Sequence, residues 1–401
     1  MKTVAIICEY NPFHNGHLYQ IEEIKRQFSG ECRIIGIMSG NFVQRGECSL
    51  LDKYKRASLA LEAGVDLILE LPFPFSASCA EIFGKSGVHI ANSLGIVDVL
   101  SFGSESGSIE ELISTAGILQ SDDYKNALER LRGESSDLGY PVLCEEALKR
   151  VDNSAITSFT PNNILALEYL KALSDLSCAI EPHTVKRLGA DFNCESFTDQ
   201  ELQSATAIRK SIHSSGGEWE MYVPRMVASR LKEYILSGEC PCDTEKLSAL
   251  IIGKLRLDQA LKNPSFMDAE GGLYNRIASQ AMRCDSYSEL SRLCTTKTYT
   301  ASRVKRAIIN ILFGVTSSEA KKLPLYTTVL AMNGVGKQML KEIRKHGTIP
   351  ILTKPSRLEK LSDEAKRQKL LSDRADSVFQ MCAPVPKEGT VDIKSTPYVK
   401  D

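Results

Sequence analysis

The stretch Ile6-Ile7-Cys8-Glu9-Tyr10-Asn11-Pro12-Phe13-His14-Asn15-Gly16-His17 decides how this chain is read. An apolar run, Val4–Ile7, gives way to a polar turn, and the apolar spacing that follows over Gly16–Gln27 has the period of a helix. Strand, turn and helix in that order put the two histidines at the helix start, on the carboxyl edge of the sheet that the strand joins. A helix N-terminus offers unpaired backbone N–H groups and the positive end of the helix dipole, which suits a phosphate. Gly16 lets a nucleotide approach the backbone with no Cβ in the way. The imidazoles can donate to phosphate oxygens as charge builds during attack at an α-phosphorus. Zinc is a competing reading of two histidines three apart, with Glu9 alone close enough in sequence as a third ligand. A purely structural role is the other.

Outward from this segment, Arg33–Met38, Val65–Leu71 and Ile96–Phe102 are further short runs of Val, Ile and Leu, separated by helical spacing over Lys53–Ala63 and Ala77–Leu94. Apolar runs without alternation imply strands covered on both faces, and their alternation with helices implies parallel βαβ units. A fifth strand is predicted near Ile180–Val185, after a helix Asn162–Ala172 that Pro161 can open, and another helix over Asp199–Ser214. The fold class expected is α/β, a doubly wound parallel-sheet (Rossmann-like) domain followed by a mainly α-helical one. The Ser214-Ser215-Gly216-Gly217 cluster marks the join, so the domains expected are 1–217, 218–382 and a loose or surface-bound polar tail, 383–401. Lys246–Lys254, Leu273–Met282 and Ser302–Leu312 carry helical spacing in the second half, where no strand–helix alternation is expected.

With 401 residues, 43% hydrophobic and 25% charged, the composition is that of a folded globular protein and excludes collagen-like, coiled-coil and disordered classes. The 12 cysteines follow no zinc or disulfide spacing; Cys240 and Cys242 lack a second pair, so reduced thiols and no metal site are expected. No run reaches the roughly 18–20 apolar residues of a membrane span, and the first residues lack a signal-peptide pattern, so a cytoplasmic location and no membrane contact are expected. Charge is balanced overall, at net −1, yet Thr295–Leu370 holds 16 Lys and Arg against 5 Asp and Glu. Such a tract suits a polyanion, because neutralised phosphates release counterions; solvated helix faces are the alternative. Within it, Ser302–Ile309 separates Arg303, Lys305 and Arg306 from an apolar stripe. Met332-Asn333-Gly334-Val335-Gly336-Lys337 leads into a helix bearing Lys341 and Arg344, either a phosphate-binding turn or a plain one. The cations Lys53, Lys55 and Arg56, after Gln44-Arg45-Gly46-Glu47, either approach phosphates or form an exposed helix face.

The histidine segment resembles the H-x-G-H nucleotidyltransferase superfamily, whose members bind ATP and proceed through an adenylate. Ser204-Ala205-Thr206-Ala207-Ile208-Arg209 looks like its I-S-S-T-x-I-R motif, with Ala205 in place of the second Ser. Together with Met38–Glu47, Leu69-Glu70-Leu71-Pro72, Ser101-Phe102-Gly103-Ser104-Glu105 and Pro161–Leu165, the segment resembles the bacterial tRNA(Met) cytidine acetate ligase family, along nearly the whole chain. The resemblance implies activation of acetate by ATP as acetyl-adenylate, then acetyl transfer to the wobble cytidine of elongator tRNA(Met). It implies His14 and His17 as catalytic residues. ATP is expected at Ile7, Cys8, Glu9, Tyr10, Asn11, Pro12, Phe13, His14, Asn15, Gly16, His17, Leu18, Tyr19 and Gln20, and at Gly103, Asn162, Arg187, Ser204, Thr206 and Arg209. The tRNA is expected at Arg303, Lys305, Arg306, Lys337, Lys341 and Arg344. Magnesium is compatible with ATP, but the sequence displays no ligand set for it, and it leaves oligomeric state open.

Two other readings stand beside this one. An adenylyltransferase acting on a small phosphorylated cofactor precursor accounts for both phosphate motifs but leaves the basic tract idle. A non-enzymatic RNA-binding factor accounts for the tract but not for the motifs.

Overall fold

Every residue from Thr3 to Ile6 is buried, because the first strand, β1 (Lys2–Cys8), is covered on both faces: Val4, Ile6 and Cys8 enter one core and Ala5 the other. A computed structural model describes residues 1–134, 140–152, 159–188, 202–258, 265–354, 358–359 and 361–400. After β1 come α1 (Asn15–Gln27), β2 (Cys32–Ser39), a two-stranded hairpin β3 (Phe42–Val43) and β4 (Glu47–Cys48), α2 (Lys53–Glu62), β5 (Leu67–Leu71), α3 (Ala80–Ser93) and β6 (Val99–Ser104). Helices α4 (Ile109–Gln120), α5 (Asp122–Glu134), α6 (Tyr140–Val151) and α7 (Pro161–Asp175) lead to β7 (Glu181–Lys186) and α8 (Ala205–His213).

Strands β5, β2, β1, β6 and β7 are neighbours in that order and all parallel. The chain winds outward from β1 to β5, then returns to build β6 and β7 on β1's other side. The gap between β1 and β6 at their carboxyl ends is therefore the topological switch point, where open α/β sheets bind ligands. One face of the sheet is covered by α1, α2 and α8 through Ile21, Leu59 and Ile208, the other by α3, α4 and α7 through Val88, Leu112 and Ala166.

The second half begins as expected, with α9 (Arg225–Leu236), α10 (Ser248–Leu257), α11 (Leu273–Ala281), α12 (Tyr287–Cys294), α13 (Ala301–Phe313) and α14 (Ser317–Ala320). Helices α10–α13 share a core with Phe42 and Phe73 of the first half. The half is mainly α, but the expectation that strand–helix alternation ends there is overturned. β8 (Thr327–Met332) joins the main sheet antiparallel to β5, α15 (Gly334–His346) covers a face, and β9 (Ile351–Leu352) pairs with β8. The run Thr327–Ala331 is buried throughout, so it lacks the alternation that marks a half-exposed strand, and a short apolar run cannot be told from buried helix by period alone. Helix α16 (Asp363–Phe379) returns to the helical core, and after α17 (Val391–Lys394) the polar tail ends in β10 (Tyr398–Val399), on β8's outer edge.

Each predicted element of the first half is present within a few residues of its expected bounds. The helix expected over Asp199–Ser214 is shorter: 202–204 are not helical, Ser204 caps α8 and so starts it at Ala205, and 199–201 lie outside the described residues. No helix among the described residues is long and apolar enough to cross a membrane.

Candidate active site

The cleft opens at the switch point. Its floor is the end of β1, Ile7 and Cys8, and the end of β6, Phe102 and Gly103. The loop after β1 is held rigidly. Arg56, a fully buried guanidinium on α2, donates to the carbonyls of Glu9, Ser39, Gly40 and Leu51, while Asn11 Oδ1 accepts from Leu50 N–H at 2.7 Å. Lys53, also on α2, is buried between Glu70 and Asp376 at 2.7 and 2.5 Å, and Lys55 pairs with Glu239. These three cations hold the scaffold together, which closes both sequence readings of them.

His14 is the N-cap of α1: its Nδ1 accepts from Gly16 N–H at 3.0 Å, and its own N–H donates to His17 Nδ1 at 3.2 Å. The rings stack with centroids 3.7 Å apart. Both line the cleft. Burial drives the His14 imidazole well below its ordinary pKa, with the His17, Arg187 and Arg209 charges adding to it; burial, then Arg187, lowers His17 to about 3. Both rings are therefore neutral at pH 7. Because each Nδ1 accepts a backbone proton, each ring carries its hydrogen on Nε2. The pair is a double N–H donor, not a pair of cations. Zinc would need these nitrogens as acceptors, and among the described residues no group of three or more His, Cys, Asp or Glu side chains can hold a metal ion.

Two arginines face the histidines. Arg187 follows β7, its N–H fixed to Ser104 O at 2.9 Å, and Arg209 on α8 donates to Asn11 O at 2.7 Å and Thr206 Oγ1 at 3.2 Å. Burial lowers the pKa of both, against Glu105 for Arg187 and against Glu47 and Glu9 for Arg209. Glu9 accepts from Gln44 N–H at 2.8 Å; burial raises its pKa, opposed by that bond and by Arg209, Arg56 and Arg45. Asn162, in the first turn of α7, donates to Glu105 Oε1 at 2.5 Å.

The structure thus gathers Ile7, Cys8, Glu9, Tyr10, Asn11, His14, His17, Gln20, Gly103, Asn162, Arg187, Thr206 and Arg209 around one cleft. Gly16 and Tyr19 line a small adjoining pocket. Phe13 is buried core, Leu18 packs against that core, and Asn15 points away, donating to Met221 O at 3.0 Å. Ser204 is the N-cap of α8, its hydroxyl accepting from Ala207 N–H at 3.0 Å, outside the cleft lining. Sequence reasoning missed Phe83, Leu165 and Tyr169. Leu165 and Tyr169 lie three and seven residues beyond Asn162 and would have followed from helical spacing; nothing in the sequence marked Phe83.

The six cations expected to meet RNA fall into two separated groups. On α13, Arg306 is paired with Asp268 at 3.0 Å, Lys305 with Glu47, and Arg303 donates to the carbonyls of Asp268 and Glu270. Lys337, Lys341 and Arg344 are exposed on α15, which begins where Asn333 bonds Asp66, just before β5, and carries Glu342 to Arg33 at the start of β2. That is the amino edge of the parallel strands, opposite the cleft.

A doubly wound sheet with two histidine donors at its switch point is built for nucleotide phosphates, and the chain belongs to a class of nucleotidyl transferases: a family model described as HIGH Nucleotidyl Transferase matches residues 1–392. Curated relatives narrow this. The protein is 37% identical to the tRNA(Met) cytidine acetate ligase of Acetivibrio thermocellus, over 96% of each chain, and 39% identical to that of Thermoanaerobacter sp. strain X514, over 90% of this chain and 91% of the relative. Among solved structures, Thermotoga maritima TmcAL in apo form I is 28% identical with a TM-score of 0.91, and its form II, bound with alpha-thio ATP, gives 0.89; each alignment covers 100% of this chain and 99% of the other. The chain belongs to the tRNA(Met) cytidine acetate ligase family.

Proposed function

We propose that the protein activates acetate with ATP and acetylates the exocyclic amine of the wobble cytidine of elongator tRNA(Met). An acetate oxygen forms a bond to the α-phosphorus of ATP and pyrophosphate leaves. The cytidine nitrogen then forms a bond to the acetyl carbon, the bond from that carbon to the AMP oxygen breaks, and the amine gives up a proton as AMP departs.

The observation that carries this reading is the pair of neutral imidazoles, each with its proton fixed on Nε2, in one cleft with Arg187 and Arg209. Preset N–H donors in a water-poor site stabilise the charge that develops on phosphoryl oxygens, and need no reorganisation during the reaction. The guanidiniums supply charge-assisted forks for phosphate oxygens. Asn162, oriented by Glu105, offers an amide suited to a base or ribose. These groups fit a nucleoside triphosphate. In this reading residues 1–217 supply the nucleotide half, the strands after Tyr326 complete its sheet, and the helical core of α10–α13 faces the RNA.

The test is acetate-dependent exchange between ATP and labelled pyrophosphate, followed by mass analysis of tRNA(Met) incubated with isotopically labelled acetate. Label in the cytidine is expected. Exchange that responds to a phosphorylated cofactor precursor and not to acetate would point to an adenylyltransferase; RNA binding without exchange would point to a non-enzymatic factor. Either result overturns the proposal.

A further inference from the structure

A second polar cavity, of about 680 Å³, lies against the cleft and shares Glu47, Thr206 and Arg209 with it. Its volume falls within the roughly 300–1,000 Å³ of ligand pockets. The walls continue from the shared residues: Lys210 on α8, Arg292 on α12 and Lys305 on α13, with Ser288 and Ser291 between them. Four permanent cations, Arg209, Lys210, Arg292 and Lys305, face two carboxylates, Glu47 and Asp243. The floor is fixed, since the buried Tyr287 hydroxyl donates to Gly46 O at 3.0 Å. The pocket that adjoins the cleft beside Gly103 and Arg187 is only about 30 Å³, room for one water.

Resting on the function proposed above, we infer that this second cavity is the acceptor-nucleotide subsite, where an RNA strand presents a cytosine whose exocyclic amine meets the Glu47 carboxylate. The acceptor must reach an acyl carbon held in the cleft, and of the two adjoining spaces outlined by the described residues this is the one that admits a base. A cytosine offers an amine donor beside two acceptors. Among the described residues Glu47 is the one carboxylate common to both linings, and carboxylates accept from this amine; Thr206 and Arg209, at the same threshold, can donate to the acceptor edge. Lys305 bonds Glu47 and holds its carboxylate in place. Uracil would set a carbonyl oxygen against that carboxylate, leaving two acceptors face to face, so the same residue selects cytosine. Lys210 and Arg292, further from the cleft, fit the flanking phosphates. This places RNA entry on α8 and α12, where the composition of the basic tract had pointed to α13 and α15.

The test pairs two activities of the full-length protein: acetate-dependent pyrophosphate exchange and acetyl transfer to tRNA. In Lys210→Ala with Arg292→Ala, transfer at subsaturating tRNA is expected to fall at least tenfold relative to exchange. The slope of log affinity for tRNA against log salt should flatten by about 1.5, for two lost phosphate contacts. Glu47→Gln, which keeps the shape, should narrow the preference for cytidine over uridine at the acceptor position in competitive tRNA binding. An unchanged salt slope with an unchanged ratio of transfer to exchange in the double variant overturns the subsite. Absence of acetate-dependent exchange in the unaltered protein overturns the function itself, so the two failures are told apart.

Discussion

In the proposed function His17 has two separable jobs, and substitution can divide them. Its Nδ1 accepts the His14 N–H at 3.2 Å, a backbone donor buried in the cap of α1, while its Nε2–H is the donor left for a phosphate. Alanine removes both. The first loss leaves a buried N–H without a partner, worth about 1–3 kcal/mol of stability. The second removes one preset donor to developing charge, about 10²–10³ in the rate of adenylate formation. Asparagine is short: its Oδ1 can accept from the His14 N–H, but its amide cannot reach where Nε2 stood. Glutamine reaches further, so its amide N–H can replace Nε2–H while the cap is lost. His17→Asn is therefore expected to keep near-native stability with exchange as low as that of His17→Ala. His17→Gln should recover about tenfold of the exchange, within the worth of one such donor, while staying as unstable as alanine. Pyrophosphate exchange measures one axis and urea unfolding the other. Acid dependence supplies a further check. Between its unfolded value near 6.5 and its folded value of about 3, this imidazole is protonated only when the chain is unfolded, so stability rises with pH across that window. Removing it should flatten the acid slope by about 1.4 kcal/mol per pH unit. If His17→Asn proved fully active, or glutamine and asparagine fell together on both axes, the division of labour between the two nitrogens would be refuted.

The buried triad gives a pH effect of opposite sign. Burial pushes Asp376 up from 3.8 to about 6, so the folded protein holds its proton more firmly than the unfolded chain does, and its contribution to stability is lost as pH rises through that window. Asp376→Asn should gain on the parent protein between pH 4 and 7 in urea midpoints, whereas Lys53→Met, which leaves Glu70 and Asp376 without their cation, should lose about 3–5 kcal/mol at pH 7. Gly336→Ala would put a Cβ 2.3 Å from the carbonyl oxygen of Asp66 and lower the melting temperature by overpacking worth about 1–3 kcal/mol; since it lies on the amino edge, exchange measured well below that temperature should be unaltered.

That glycine shows where a sequence motif was legible and its meaning was not. Gly334-Val335-Gly336-Lys337 reads either as a phosphate-binding turn, because glycine before a basic helix leaves amides exposed, or as a plain turn. In the structure Asn333 caps the helix through Gly336 N–H at 2.9 Å and bonds Asp66, and Gly336 is small because β5 is close. Close approach to the chain's own backbone and close approach to a ligand impose the same demand on composition. The first strand, its turn and its helix were legible because they are local: apolar run, polar turn and helical period sit within 27 residues. Arg187 and Asn162 were placed by family likeness alone, since their partners, Ser104 and Glu105, are far away in sequence. The charge count is blind to pairing for a related reason. Arg303, Lys305 and Arg306 count toward a basic tract, but Asp268, Glu270 and Glu47, which engage them, lie outside it.

In the proposed function the β3–β4 hairpin is the physical link between the two reactions. Its turn and the start of β4 carry Gln44, Arg45 and Glu47 into the cleft, and Gly46, at φ 77°, faces the first turns of α13 so closely that a Cβ would stand 2.3 Å from Arg306 N. Only glycine meets both demands, a left-handed backbone and no side chain. The Tyr287 hydroxyl reaches the same glycine from α12, and Lys305 reaches Glu47 from α13. A two-stranded hairpin of this length has little stability by itself, so its position in the cleft is set by the helical core that packs against it. The helical core thus shapes the wall of the cleft through direct bonds, with no moving part required. It follows that changes at Gly46 or Tyr287 should disturb acetate activation as well as transfer, whereas changes at Lys210 and Arg292, beyond the hairpin, should fall chiefly on transfer.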